Sequence, residues 1–201
     1  MTGDRTADDT RREGAAEWPV SMSGVTESVV TTLGPNGLWN AAALGLHAGD
    51  PVTARTWGNT RTRRNFHRQG EGYVQFVDDP VVFADAALSI VEDEDPVLES
   101  ATAWARVAVE RVDAGTEGET DWEEWVLRPV ESAVVRETVP TIDRGFGAVV
   151  EATVAASRLE VADYDEAELR NRLAHCAAVV ERAGGPRERE ALERVREHST
   201  W

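Results

Sequence analysis

Lysine is absent from this chain of 201 residues: all 21 of its basic residues are arginine. Against them stand 37 Asp and Glu, a formal net charge of -16. With positive charge this scarce, the balance argues against nucleic acid as a partner, because a phosphate backbone would be repelled. It argues equally against docking on an anionic membrane surface. Long apolar runs are missing too, and none approaches the roughly 18–20 residues of a helical membrane span. The single cysteine, Cys176, excludes an intrachain disulfide and any multi-cysteine metal site. His47, His67, His175 and His198 are scattered without metal-ligand spacing, so no metal is expected. Glycines sit at turns, and no Gly-x-Gly-x-x-Gly fingerprint follows a strand. Met1 is followed by Thr-Gly-Asp-Arg with no apolar signal core, which points to the cytoplasm.

What is present in excess is acidity, and an acidic surface repels itself in dilute buffer. At roughly 1 M salt the Debye length falls to about 3 Å and that repulsion is screened. The acidic, lysine-free composition therefore reads as adaptation to a salty cytoplasm, as in a halophilic archaeon. The plain alternative is an acidic protein of a GC-rich genome, which favours arginine codons.

Along the chain the composition falls into zones. Residues 1–18 hold almost nothing to bury and are expected to be a disordered acidic tail. Val25–Thr32 alternates and is β-branched, Gly34-Pro35-Asn36-Gly37 signals a hairpin turn, and Leu38–His47 resumes as a strand. Val52–Trp57 is a further strand, broken by Gly58-Asn59. Thr60–Gln69 reads as a short helix stopped by Gly70, and Tyr73–Val77 as a strand. Asp78-Asp79-Pro80 fits a helix start. After an acidic linker at 92–96, alternation from Ala103 to Glu110 marks a strand with one buried face. Gly115–Asp121 reads as a polar loop, and Trp122–Thr138 as one bent strand or two, interrupted at Pro129. The sum is six or seven antiparallel strands over 19–139, consistent with a small β-barrel.

From 140 to 200 the period becomes helical. Ile142, Phe146, Val149, Val150 and Thr153 share one face; Leu169, Leu173, Cys176, Val180 and Ala183 form an amphipathic seam. Gly184-Gly185-Pro186 ends one helix and starts the next. This C-terminal helical subdomain is expected to pack on the barrel or on a partner subunit.

The segment from Arg55 to Phe66 carries the chemistry. It gathers Arg55, Arg61, Arg63 and Arg64 in a chain that is otherwise acidic, and sets Thr60 and Thr62 at a helix start. A helix N-terminus offers unpaired N–H groups and the positive end of a dipole. Arginine adds fork-shaped, charge-assisted hydrogen bonds, so a phosphate monoester is the natural guest. A capped surface helix with solvated arginines is the rival reading. Asn40-Ala41-Ala42-Ala43 puts small side chains in mid-strand, where something flat can approach the backbone. Trp39, Trp57, Trp104 and Trp125 are read mainly as barrel core, with Trp39 and Trp57 flanking the proposed site.

At these residues the sequence resembles a mainly archaeal family of flavin-reductase-like proteins with the FMN-binding split β-barrel fold. The resemblance runs through Glu27–Thr32, Asn40–Gly45, the Thr60-Arg61-Thr62-Arg63-Arg64-Asn65 block, Asp78–Phe83, Ala86-Ala87-Leu88, Asp143–Ala152 and Ser157-Arg158-Leu159. It covers most of 25–160, and the order and spacing of the motifs carry it. The family pattern has proline where this chain has Ala43.

The resemblance implies FMN as cofactor, its phosphate held by Arg55, Thr60, Thr62 and Asn65, with Arg61 nearby. It implies an isoalloxazine ring along the backbone of Asn40, Ala41, Ala42 and Ala43, and a homodimer with the flavin at its interface. The expected function is that of an FMN-binding flavoprotein, a flavin-dependent oxidoreductase with NAD(P)H or another small-molecule redox partner. A flavin carries the hydride and electron chemistry itself, so no catalytic acid, base or nucleophile needs to stand out. A non-catalytic flavin store or sensor is the alternative, and a module binding another phosphate compound is a third.

Overall fold

The structure is a computed structural model and describes residues 16–201. The acidic tail expected at 1–18 therefore lies, up to residue 15, outside the described residues. Beyond it the chain is held: the Glu17 carbonyl accepts a hydrogen bond from Ser132 Oγ at 2.9 Å, and Trp18 packs against the barrel core.

Among the described residues seven strands form one antiparallel sheet. They are β1 (Val25–Leu33), β2 (Trp39–His47), β3 (Val52–Trp57), β4 (Glu71–Val77), β5 (Val91–Asp93), β6 (Ala101–Glu117) and β7 (Thr120–Val134). The sheet order is β1-β4-β6-β7-β3-β2, and β2 pairs back onto β1, so six strands close a barrel. The seventh, β5, adds to β2 outside that ring. Closure covers most of the sheet edge that would otherwise offer unpaired N–H and C=O groups.

Alternation decides which side chains fill the barrel. Val30, Leu46, Val74, Val107 and Leu127 point inward, and Phe66 of α1 (Arg61–Gln69) joins them. A second core lies among helices. Helix α2 (Pro80–Leu88) gives it Val81 and Ala84; α3 (Arg144–Ala156), α4 (Glu166–Ala183) and α5 (Pro186–Glu197) give it Val149, Leu173, Val180 and Val195. The other face of α2, through Phe83 and Ala86, packs on Val29 and Ala41. Helix α2 therefore joins barrel to helices.

Several local readings needed correction. The polar loop expected at Gly115–Asp121 is mostly strand: β6 and β7 run on as a ribbon, and only Gly118-Glu119 makes the turn. Gly118 takes φ +57, the left-handed conformation such a two-residue turn requires. Polarity misled because both faces of this ribbon meet solvent. Pro129 does not interrupt β7 but sits at a bulge, where Val107 opposes Pro129, Arg106 opposes Glu131, and Val130 is left over. Ile142 lies outside α3 and is 99% exposed, because the helix starts after its cap Asp143. Ala183 ends the seam exposed. The acidic linker hides β5, a strand too short to alternate.

Candidate functional site

Strand β2 is paired with β1 over its whole length, Trp39 to His47. On its other side the partners change. Strand β5 covers Trp39–Ala41, β3 meets only Leu46 and His47, and Ala42–Gly45 between them has neither. The barrel is split there, and a cleft of about 530 Å³ fills the split. Its floor is the backbone and small side chains of Ala41, Ala42 and Ala43. Its walls are the end of β3, the start of α1, the end of α2 and Ser157 after α3.

The N-terminal turn of α1 faces this cleft. Gly58, at φ +63, turns the chain out of β3, and its N–H donates to the Asp121 carbonyl at 2.7 Å. Thr60 is the N-cap, its hydroxyl accepting from Arg63 N at 3.2 Å. The amides of Arg61 and Thr62 are first-turn donors, which helix geometry leaves without partners inside the helix. Thr62 is 5% exposed, and its hydroxyl makes no hydrogen bond with any described residue. Asn40, also 5% exposed, likewise has a side chain without a hydrogen bond to any described residue.

Arginines stand around this turn. Arg55 lies over the Trp122 ring at 4.5 Å, with Glu124 at 3.7 Å. Arg61 pairs with Glu92 at 2.6 Å. Arg64 reaches back to the Asn59 carbonyl. Behind the turn, Arg63 bridges Glu123 at 2.9 Å and the Gly58 carbonyl at 3.1 Å. Buried Glu123 also takes His67 at 2.7 Å and Arg111 at 3.1 Å. Burial alone would push the Glu123 carboxyl up, but hydrogen bonds from Arg63, His67 and Arg111 outweigh it and hold the carboxyl below the usual range. This network fixes α1 to β7, and with it the turn that carries the free amides.

Arg55, Thr60, Arg61, Thr62, Asn40, Ala41, Ala42 and Ala43 all line the one cleft. Asn65 does not. Its Nδ2 donates to Thr32 Oγ1 at 2.9 Å and its Oδ1 accepts from Arg68 at 2.8 Å, so it braces α1 against β1. Of the tryptophans, Trp57 lines the cleft and is 42% exposed, whereas Trp125 is buried and donates to Thr56 at 2.9 Å. Trp39 and Trp104 pack against Tyr73. His67 and His198 are engaged with Glu123 and Asp85. Cys176 is a core residue whose burial pushes its thiol up.

The cleft also includes Ala86 and Ala87 in the last turn of α2, Ser89 and Ile90 just after it, and Ser157 after α3, which chemistry did not single out in the sequence. They are small or apolar and carry no charge signal. The motif order at Ala86-Ala87-Leu88 and Ser157-Arg158-Leu159 marked Ala86, Ala87 and Ser157, and nothing marked Ser89 and Ile90.

Residues 26–136 match the N-terminal domain of the family described as protein of unknown function (DUF447), and residues 143–197 match its second part. Among solved structures, the fold is that of the FMN-bound DUF447 protein MM1853 from Methanosarcina mazei. The TM-score is 0.74 at 22% identity, over 88% of this chain and 96% of that one. Component B of nitrilotriacetate monooxygenase from Bacillus cereus is a more distant likeness, at TM-score 0.42 and 19% identity over 67% of this chain and 81% of that one. No helix among the described residues is long and apolar enough to cross a membrane.

Proposed function

The chain belongs to the DUF447 family, and from that membership and the cleft we propose that it is an FMN-binding flavoprotein. The observation that carries the reading is the start of α1. Two first-turn amides, the unpartnered Thr62 hydroxyl and the Arg55 and Arg61 guanidinium groups converge on a cleft floored by alanines. Among the described residues no sealed side-chain oxygen or nitrogen lacks a partner, so the Thr62 hydroxyl is open to the cleft and free to bond a ligand there. A phosphate supplies acceptors for all of these donors. Methanosarcina mazei MM1853, of the same family and fold, is FMN-bound.

In this reading Thr60, Thr62, Arg55 and Arg61 hold the phosphate, and the open edge of β2 at Asn40–Ala43 receives the flat ring system. Asn65, which the resemblance also assigns to the phosphate, braces α1 through Thr32 and Arg68 and lines the adjoining cavity beside Arg61 and Arg64. Bound FMN supplies hydride and electron transfer, which the chain's own residues need only orient and shield. The protein works as a cytoplasmic homodimer, and Trp57 and Ile90, 42% and 68% exposed at the mouth of the cleft, suit burial against a second copy. The domains are a split barrel over 19–139 and a helical unit over 140–200. The acidic surface suits the molar salt of a halophilic archaeon.

The test is the visible spectrum of protein purified in molar KCl. A flavin spectrum that NADH or NADPH bleaches supports a flavin-dependent oxidoreductase. A flavin spectrum that neither donor changes favours a store, a sensor or another donor. A colourless protein that takes up no added FMN overturns the reading.

A further inference from the structure

A second cavity, of about 360 Å³, opens between the β1–β2 turn, β5 and α1. Asn36, Arg68 and Glu92 line it and not the first cleft, whereas Asn40, Arg61 and Arg64 line both. The two spaces therefore meet at the start of α1, beside the groups assigned above to the flavin phosphate.

Charge in this cavity is unbalanced. Among the described residues Glu92 is the one carboxylate on its walls, and it is already engaged, accepting from Arg61 at 2.6 Å and from Asn36 Nδ2 at 3.2 Å. Arg64 bonds only the carbonyl and side chain of Asn59. Arg68 bonds only the Leu33 carbonyl and Asn65 Oδ1. Neither has a carboxylate partner among the described residues, in a chain of net charge -16. Asn40, 5% exposed and without a side-chain hydrogen bond to any described residue, stands at the junction. Its amide is not sealed off, since no buried side-chain nitrogen or oxygen among the described residues lacks a partner, so it is free to bond a ligand in either space.

We infer that this cavity is a second anion subsite, whose ligand is a phosphoryl group beyond the flavin's own phosphate. The inference rests on the FMN reading and extends it. Arg64 and Arg68 supply paired N–H donors that match phosphate oxygens, and Asn40 supplies a neutral donor at the junction. The group arrives either as the second phosphate of a dinucleotide flavin, continuous with the first, or as a separate phosphate held beside FMN.

Calorimetric titration with FMN, FAD and inorganic phosphate distinguishes the two sources. With the dinucleotide as ligand, wild type binds FAD more tightly than FMN, and Arg68→Gln lowers the FAD-to-FMN affinity ratio about ten- to a hundredfold. With a separate phosphate as ligand, that ratio is unmoved, but inorganic phosphate binds FMN-loaded wild type and not FMN-loaded Arg68→Gln. Arg68 also braces α1, so Asn36→Asp, which adds a negative charge from the exposed turn, serves as the second variant and must act in the same direction. Ratios equal in all three proteins, with no phosphate uptake sensitive to Arg68 or Asn36, overturn the inference. A protein that binds no flavin overturns the functional reading instead. Phosphate titrated into flavin-free wild type, Arg68→Gln and Asn36→Asp then decides the subsite alone.

Discussion

The helical layer and the split in the barrel are built on opposite principles. Around α3, α4 and α5 the apolar seam is covered: Val149, Leu173, Val180 and Val195 are each 0% exposed. Helix ends are closed as well, with Asp143 and Asp165 each accepting two first-turn amides. Across the split, β2 keeps β1 but has neither β3 nor β5 on its other side between Ala42 and Gly45, and the polar side chains of Thr62 and Asn40 open onto the cleft without bonds to described residues. One region spends its interactions on itself, the other holds them in reserve. Such a difference is what a scaffold and a ligand cleft would show: among the described residues the sealed polar side chains are all bonded, and the unbonded ones of Thr62 and Asn40 open onto the cleft.

The largest effect should come from the helical layer. Leu173→Ala removes a fully buried side chain from the helical core and is expected to cost about 2–5 kcal/mol in chemical denaturation. The ratio of FMN to riboflavin affinity should stay that of wild type. A changed ratio would mean that the helical core also shapes the phosphate end of the cleft.

The converse substitution lies in the split. Thr62→Ala or Arg55→Ala should weaken FMN about ten- to a hundredfold, through loss of hydrogen bonds to a charged group of about 1.5–3 kcal/mol. Riboflavin, which lacks the phosphate, should lose less, and the melting temperature of the flavin-free protein should hardly move. Equal losses for both ligands would put the phosphate elsewhere. Ala42→Leu fills the floor of the cleft and should exclude the ring system, so that riboflavin and FMN both fail in fluorescence titrations while the protein stays folded.

Salt acts on the molecule as a whole. Self-repulsion at net charge -16 is screened in molar KCl. The thermal midpoint should therefore rise from dilute buffer to molar KCl, by about 2–4 °C for each kcal/mol gained. A melt flat across that range would contradict salt adaptation.

The outline of this contrast was legible in the sequence because each element carried its own punctuation. Gly34–Gly37 set the first hairpin, Thr60 and Gly70 bounded α1, and Asp79-Pro80 began α2. Arginine is conspicuous in an acidic chain, so Arg55 and Arg61 stood out together with the hydroxyls beside them. What stayed hidden has no local signal. The split is a failure of β3 to follow β2, and nothing in Ala42–Gly45 says which strand will turn away. Asn65 carried the right motif position but bonds Thr32, a partner 33 residues distant. The far wall at Ala86–Ile90 is apolar and looks like any helix end. The second cavity depends on Glu92 being engaged by Arg61, a pairing across 31 residues that composition cannot show.

The smallest expected effect concerns the joint between the two regimes. Glu123 is buried like a core residue yet charged like a site residue, and Arg63, His67 and Arg111 hold its carboxyl below the usual range. A carboxyl whose folded pKa is depressed binds protons less readily in the native state than in the unfolded chain. Its stabilisation is fully present above the unfolded value, about 4.3 for Glu, and is lost as pH falls through that value and on through the folded one. Each unit of depression is worth about 1.4 kcal/mol. Wild type should therefore lose stability more steeply than Glu123→Gln between pH 5 and pH 3 (about one unit either side of the unfolded value). The variant, which keeps the shape but not the charge, should be the less stable protein at pH 7 and approach wild type in acid. Denaturant titrations at fixed high salt read both slopes. Parallel slopes would mean that Glu123 binds protons alike in both states and that α1 is held to β7 by packing, through Phe66 and Trp125, rather than by this ion cluster.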